Sequence, residues 1–174
     1  MAGLYIDHGW HMGWCVVTRA GVSSGVENFK KDLPTQGGRL LAMSDWWTAK
    51  LGELTKAGEK LTEIRYEQIT FVGENDADTL HAHGMQLGNL LRWAALKKQP
   101  EPRGIAWDVI KKHVTGHRSA ARETMLATVR ASMPEVTDHN QASAVAVMLT
   151  ATNQKLSNPE ASPRAAQPAR TAGP

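Results

Sequence analysis

Two acidic residues stand inside apolar segments, where a carboxylate needs a partner. Asp7 ends the segment Leu4–Asp7, and Glu67 lies within Leu61–Ile69. Burying a carboxylate is costly unless it is paired or bound to a metal. If these segments are neighbouring strands, both side chains emerge at one sheet edge, where oxygen ligands and a phosphate substrate favour Mg²⁺ or Mn²⁺. Two such cations can clamp the attacking water and the leaving oxygen in phosphodiester hydrolysis.

A purely structural interpretation of the same acids is also open. Asp7 would then cap a turn, and Glu67 would form an ion pair with Arg65 or a lysine. Residue types alone favour this second interpretation, because isolated acids near strand ends are common. The metal site therefore depends on further support from the rest of the chain.

The segments around these acids predict a mixed α/β domain. Alternating apolar residues predict five strands, at Leu4–Asp7, Trp14–Thr18, Val22–Phe29, Leu61–Ile69 and Gly104–Trp107. Apolar residues at helical spacing predict five helices, over Arg39–Ala57, Ala77–Lys98, Asp108–His113, Ala120–Ala131 and His139–Thr152. The first three strands form an antiparallel meander, and the other two arrive through helical crossovers and add in parallel. This order predicts a mixed five-stranded sheet flanked by helices, for which the RNase H-like fold fits best.

Length and composition set the limits of this domain. Of the 174 residues, we expect residues 1–154 to form one domain and residues 155–174, rich in Pro and Ala, to form a disordered tail. No apolar run approaches the roughly 18 residues needed to cross a bilayer, and no export signal is recognised. We therefore expect a cytoplasmic protein without membrane contact. The single cysteine, Cys15, excludes a disulfide framework and a cysteine zinc site and is expected in the core.

Positive charge is concentrated in one part of the chain. The segment Arg92–Arg130 holds nine Lys/Arg residues against three acids, a net charge of +6, whereas the whole chain carries +3. Such an excess suits a surface that meets a polyanion, of which nucleic acid is the usual one. A solvated helical surface explains the same composition equally well.

Several segments together resemble a known family. Asp7-His8-Gly9 followed by Gly13-Trp14 resembles the opening motif of phage-type RuvC-like Holliday-junction resolvases, and Tyr66-Glu67 resembles their second acidic motif. Three further stretches are similar to the family's third strand, basic segment and closing helix: Ser24 to Lys30, Trp107 to Arg130 and Asp138 to Ala146. The similarity runs in order over about residues 3–151, so it is more specific than any single motif.

This resemblance implies a homodimeric, Mg²⁺- or Mn²⁺-dependent endonuclease that cuts four-way DNA junctions in recombination or phage DNA processing, in a bacterial or phage-infected cell. It implies that Asp7 bridges two metal ions and that Glu67 holds one of them. The residues that it places on DNA are Lys111, Lys112, Arg118 and Arg122. His113 is a further DNA-binding candidate beside the basic loop, and simple solvent exposure explains it equally well. Arg122 stands where the family prefers lysine; its permanent charge serves a phosphate better than a proton transfer.

The closing helix departs from the family pattern. Ser143 stands where the family has an aspartate that completes the metal site. Asp138 is the carboxylate that remains nearby, but with Gln141 three residues later it also forms a near capping box, so both ligation and capping stay open. Three functions therefore remain: a resolvase with a reduced or rearranged site in which Asp138, His139 or water substitutes, a junction-binding protein that no longer cleaves, and an RNase H-like protein with another nucleic-acid substrate.

Two apolar features have more than one explanation. The stripe Leu80, Gly84, Leu87 and Leu91 on the second long helix suits either the implied dimer interface or ordinary core. Trp46 and Trp47 are adjacent on a helix and so face different ways, which predicts one core tryptophan and one nearer the surface.

Overall fold

The computed structural model describes residues 1–30, 33–69 and 77–153. Within them the elements are β1 (Ala2–Asp7), β2 (His11–Thr18), β3 (Gly21–Asn28), α1 (Gln36–Lys56), β4 (Leu61–Gln68), α2 (Ala77–Leu96), β5 (Arg103–Ala106), α3 (Trp107–Thr115), α4 (Arg122–Ser132) and α5 (His139–Ala151). All ten predicted elements are present in the predicted order. Trp107, predicted at the end of a strand, instead begins α3. The predicted tail at 155–174 lies outside the described residues.

One five-stranded sheet organises the domain, in the order β3-β2-β1-β4-β5. β1, β2 and β3 pair antiparallel, whereas β4 pairs parallel with both β1 and β5. The predicted mixed sheet, a meander plus two parallel strands, is confirmed. Because β1, β4 and β5 run in the same direction, their carboxyl ends meet at one edge, which is where ligands bind in open α/β sheets.

The sheet separates two apolar cores. Leu4 and Ile6 of β1 face α1 and α2, where they join Trp47 and Leu90. Tyr5 points the other way, into a second core formed by α3, α4 and α5. Side chains alternate along a strand with a period of two, so each position of β1 is assigned to one core. Cys15 is fully buried in the second core, as predicted.

α5 lies deepest in the molecule. Nine of its 13 residues are buried, and it packs on β1, β2 and β4 as well as on α3 and α4. Its alternating small side chains at positions 142, 144 and 146 are alanines, which allow neighbours to approach from several sides. A helix that is apolar on all sides is typical of a buried position.

The paired tryptophans divide as predicted. Trp47 is fully buried, while Trp46 is half-buried and its ring lies 5.6 Å from that of Trp14. In the residues that the structure describes, no helix combines the length and the apolar character needed to cross a membrane.

Candidate metal and nucleic-acid site

The register of β1 and β4 brings the two acids together. Ile6 pairs with Tyr66 in the parallel ladder, so Asp7 and Glu67 follow side by side at the carboxyl edge of the sheet. Neighbouring strands lie about 4.8 Å apart, a spacing at which two carboxyl groups interact directly. A hydrogen bond links the two carboxyl groups. Asp7 and Glu67 therefore lie at the same edge of the sheet, which is the arrangement that the sequence predicted for their side chains.

Strand alternation decides which face the acids take. Ile6 and Tyr66 pack against the α1–α2 core, so Asp7 and Glu67, one position later, point to the opposite side, where α5 lies. The expected ion pair between Glu67 and Arg65 does not form, because the Arg65 guanidinium bonds the Glu63 carboxylate at 3.3 Å. The alternative in which Glu67 forms an ion pair with Arg65 is therefore wrong.

The two carboxyl groups strongly perturb each other. Burial raises the pKa of Asp7 well above its ordinary value, and the charge of Glu67 raises it further, while Arg122 opposes the shift. Burial likewise raises the pKa of Glu67 to about 7, against the opposing effects of Arg122, the hydrogen bond from Asp7 and Lys111. The pair as a whole therefore retains a proton to higher pH than two separate carboxyl groups would.

α5 supplies the third side of the site. The Ser143 hydroxyl lies near the start of this helix and hydrogen-bonds the Asp7 carboxyl, which lowers the pKa of Asp7. Ser143 is 8% exposed. The predicted site residues Asp7, Glu67 and Ser143 are thus brought into contact.

Asp138 has a different local role. It is the N-cap of α5, and its carboxylate accepts hydrogen bonds from the backbone N–H groups of Asn140 and Gln141 at 2.7 and 3.3 Å. Gln141 in turn accepts from the Thr137 N–H at 3.2 Å. Asp138 therefore caps α5, which is one of the two interpretations that the sequence left open. That Asp138 also binds a metal ion stays a prediction.

Gly13 of β2 lets the start of α5 reach the sheet edge. A Cβ at this position would overlap the backbone carbonyl group of Asn140. Only glycine permits this approach of strand and helix, because every other residue carries a Cβ there. Since Gly13 pairs with Asp7 across the β1–β2 ladder, the contact holds the α5 N-terminus directly beside the acid.

Two cations face the acid pair. Arg122 is the first residue of α4 and acts electrostatically on both carboxyl groups. Lys111 acts on Glu67, and its Nζ lies 5.0 Å from the centre of the Trp107 ring. Arginine keeps its charge at every relevant pH, so the positive charge of Arg122 is a permanent part of this site.

The other predicted DNA-binding residues lie on or just after α3. Lys112 is exposed and His113 is half-buried on the last turn of α3. Gly116 ends the helix in the left-handed conformation with φ of 82°. Arg118, on the loop that follows, bonds the Asp108 carboxylate at 2.7 Å while staying 65% exposed. Lys112, His113 and Arg118 thus follow Lys111 along α3 and the loop after it.

The basic segment does not form a single face. Lys98 and Arg103 lie near the starts of β4 and β5, where they line two surface cavities. Lys111 and Arg122 lie at the opposite edge, beside the acids. The excess positive charge seen in the sequence is thus divided between the two ends of the parallel strands, and Lys111 and Arg122 are the members of it that act on the acids.

Two polar residues near the site were not recognised in the sequence. His8 is 5% exposed and Gln86 is 1% exposed. Burial lowers the pKa of His8 to about 3, with His83 adding to the effect, so the ring is neutral. Gln86 precedes Leu90 and Trp93 at helical spacing on the buried face of α2. The sequence could have revealed Gln86, because a glutamine at helical spacing from apolar residues indicates a buried polar group.

The donor atoms suit a hard divalent cation. Asp7 and Glu67 offer carboxylate oxygens and Ser143 a hydroxyl oxygen, and Mg²⁺ typically binds through one or two carboxylates while keeping several waters. Two desolvated carboxyl groups that must share a proton gain most from such a cation. Among the described residues, no group of three or more His, Cys, Asp and Glu side chains is arranged to hold a metal ion. The carboxylates of Asp7 and Glu67 would therefore hold such a cation together with water.

Comparison with known proteins gives structural matches. No protein-family model matches the sequence, and no curated protein does. Thermus thermophilus RuvC in complex with a Holliday junction substrate matches with a TM-score of 0.65 at 22% identity, over 86% of this chain and 92% of that chain. A Thermus thermophilus RuvC structure matches with a TM-score of 0.62 at the same identity and coverage. The predicted architecture is confirmed: this chain has the RNase H-like fold of RuvC.

Proposed function

We propose that this protein is a structure-selective DNA endonuclease of the phage RuvC-like type, which resolves four-way junctions by metal-dependent phosphodiester hydrolysis in recombination or phage DNA processing. The observation that carries the proposal is the hydrogen-bonded pair of Asp7 and Glu67 at the carboxyl edge, faced by Arg122 and Lys111. The solved neighbour of the same fold is described as bound to a Holliday junction substrate. The reaction would take place in the cytoplasm of a bacterial or phage-infected cell.

In this proposal Asp7 and Glu67 hold Mg²⁺ or Mn²⁺, with the Ser143 hydroxyl as a neutral neighbour. A cation held by these residues would supply Lewis-acid chemistry, polarising a phosphate and acidifying water. A second cation, as the two-metal scheme requires, would rest on Asp7 and on substrate oxygens, with Asp138 as a further candidate ligand. Both carboxyl groups must lose their shared proton before ligation, so metal binding releases a proton.

The chain's own cations would orient the DNA. Arg122, which acts electrostatically on both acids, would bind a phosphate beside them through its planar pair of N–H donors. Lys111 adds a charge beside Glu67, and its Nζ lies over the Trp107 ring. Lys112, His113 and Arg118 extend this positive surface along α3 and the following loop. Phosphate contacts of this kind position a duplex without reading its sequence.

A second candidate function is junction binding without cleavage. The observation that favours it is Ser143, because a hydroxyl replaces the acid that the resemblance expects, and the described residues contain no cluster of three acidic or other metal-binding side chains. In that case the basic surface of α3 and α4 would persist while the hydrolytic rate is lost.

The implied homodimer has a candidate surface on α2. Leu80 and Leu91 are 51% and 38% exposed. Between them a Cβ at Gly84 or Gly88 would meet open space. The exposed apolar stripe thus runs over Leu80, Gly84, Gly88 and Leu91, with Leu87 half-buried beside it. Two such helices could approach closely, since glycine removes the side chains at the crossing point, and a two-fold pair would present two sites to one junction.

Cleavage of a synthetic four-way junction tests the proposal. Wild type with Mg²⁺ or Mn²⁺ should introduce paired nicks in the junction and leave a linear duplex of the same sequence intact, and Asp7→Asn and Glu67→Gln should abolish cleavage but keep junction binding. Asp45→Asn, which alters an exposed acid on α1, is the matched control and should cut normally. Binding without cleavage by wild type would support the second candidate. Loss of preference for the junction in both assays would contradict both.

A further inference from the structure

A small cavity opens beside the end of β1, on the α2 side of the sheet. Its volume is about 290 Å³, and Trp10, Asp78, His83 and Gln86 are among its lining residues. Small-molecule sites usually measure roughly 300–1,000 Å³. This cavity therefore has room for one planar ring system.

Gln86 gives the cavity an unsatisfied hydrogen-bonding group. Its side chain is almost fully buried, and its Oε1 accepts no hydrogen bond from the residues that the structure describes. Buried acceptors in native proteins are nearly always paired, and an exception calls for an explanation such as a ligand.

Trp10 supplies a flat wall. It is half-buried, and the Arg39 guanidinium lies 5.3 Å from its ring centre. A cation held over an aromatic ring restrains the orientation of that ring. The cavity thus combines a positioned aromatic surface with a buried amide, the two elements with which proteins recognise an unstacked base.

The cavity is close to the acid pair. Gly9 lines it, and the Cα atoms of Asp7 and Gly9 are at most about 7.6 Å apart, because consecutive Cα atoms are about 3.8 Å apart. A DNA strand advances about 3.4 Å per nucleotide. The acids and the cavity lie on opposite faces of the sheet at the same edge, so a strand with one phosphate at Asp7 and Glu67 would reach the cavity, within about two nucleotides, by crossing that edge.

We propose that this cavity receives one nucleobase, unstacked from the strand held at the acid pair, and so contributes to the choice of the cleaved position. The inference rests on the proposed DNA substrate and adds a base-recognition site to it. The base would contact Trp10 and hydrogen-bond to Gln86, whose amide matches the N6 and N7 atoms of adenine. Unstacking is easiest where pairing is already weakened, as at a branch point.

A double-mutant cycle, which combines one substitution in the protein with one in the DNA, tests the proposal. The protein change is Gln86→Leu, made in an Asp7→Asn background that binds without cutting, and the DNA change is a single abasic nucleotide moved stepwise through the junction centre. At one position, Gln86→Leu should weaken binding of the intact junction about ten-fold and should have no effect on the abasic one. Equal effects on intact and abasic junctions at every position would overturn the proposal.

Stability separates recognition from a structural role of the amide. Removing an unpaired buried acceptor is neutral or stabilising, so Gln86→Leu should keep or raise the melting temperature. Asn89→Leu, one turn later, is the matched control: its amide donates to the Leu40 carbonyl oxygen at 2.7 Å, and the change should lower the melting temperature. Marked destabilisation by Gln86→Leu would assign the amide to the core and overturn the inference.

A titration with nucleosides decides the inference even if junctions do not bind. Adenosine should shift the side-chain amide NMR signals of Gln86, whereas methyl riboside, which lacks a base, should leave them unchanged. Absence of any shift with all four nucleosides would overturn the base pocket. Failure of the junction assay together with a positive titration would contradict the proposed function alone.

Discussion

Replacing the acid pair by amides should remove a specific pH dependence from the stability of the metal-free protein. The double variant Asp7→Asn, Glu67→Gln keeps the shape of both side chains and removes their titration. Glu67 has a raised pKa in the folded state, which reverses the usual sign for a carboxylate. The folded protein binds more protons than the unfolded chain above pH 4.5, so its stability falls as pH rises towards the folded pKa.

The size of the effect follows from the pKa of Glu67. A rise from its ordinary value of 4.5 to about 7 corresponds to about 3 kcal/mol, at 1.36 kcal/mol per pH unit. Solvent at the sheet edge screens part of this, so we expect wild type to lose about 1–3 kcal/mol between pH 4.5 and 7.5 relative to the double variant. Asp7, whose pKa is also raised, extends the decline to higher pH.

Urea unfolding with EDTA at several pH values measures this difference directly, because both proteins share every other titrating group. Adding Mn²⁺ at pH 8 should restore the stability of wild type and leave the double variant unchanged, since a cation stabilises only the state that binds it. Parallel pH profiles for the two proteins would refute the buried, proton-sharing pair. An equal response of both proteins to Mn²⁺ would refute the metal site.

Three further outcomes are expected. Ser143→Asp should increase Mn²⁺ affinity and the rate of junction cleavage about ten-fold or more, because a carboxylate replaces a neutral hydroxyl beside Asp7. Calorimetry measures the affinity and a cleavage time course measures the rate. Unchanged values would show that Ser143 does not limit metal binding or cleavage. Lys112→Gln should reduce the slope of log K against log salt for junction binding by about 0.9, whereas Lys98→Gln, at the opposite edge, should leave it unchanged. Leu91→Asp should convert a dimer into a monomer in light scattering, and Val22→Asp, an equally exposed apolar site on β3, should not; equal masses for both variants would exclude the α2 stripe as the interface.

Much of the fold follows from local patterns. The strands around Asp7 and Glu67 alternate clearly, and chain-crossing rules then leave few ways to connect five strands and five helices. The neighbouring positions of these two acids follow from that topology and from the parallel register of β1 and β4. The positions of Asp7 and Glu67 could therefore be predicted without knowing the conformation of any loop.

The rest of the site depends on long-range packing that periodicity does not encode. The contact of Gly13 with the start of α5 joins residues far apart in the sequence, and the position of Arg122 is determined by the loop before α4. Asp138 satisfies both a capping pattern and a ligand pattern, so only its bonds to two backbone N–H groups show that it caps. The basic residues divide between two edges of the sheet because of the direction in which β5 runs. A count of charges along the sequence does not reveal that direction.

The assembly of the site from distant residues also has a consequence for folding. Its side chains come from positions 7, 67, 122 and 143, so the site is complete only after α5 has docked on β1 and β2. Contacts between residues so distant in sequence form late and slow the folding of a domain. During synthesis, a chain that has not yet reached α5 therefore holds Asp7 and Glu67 without Ser143. Competence for the proposed reaction would appear at the end of folding, in one step with the closing of the second core.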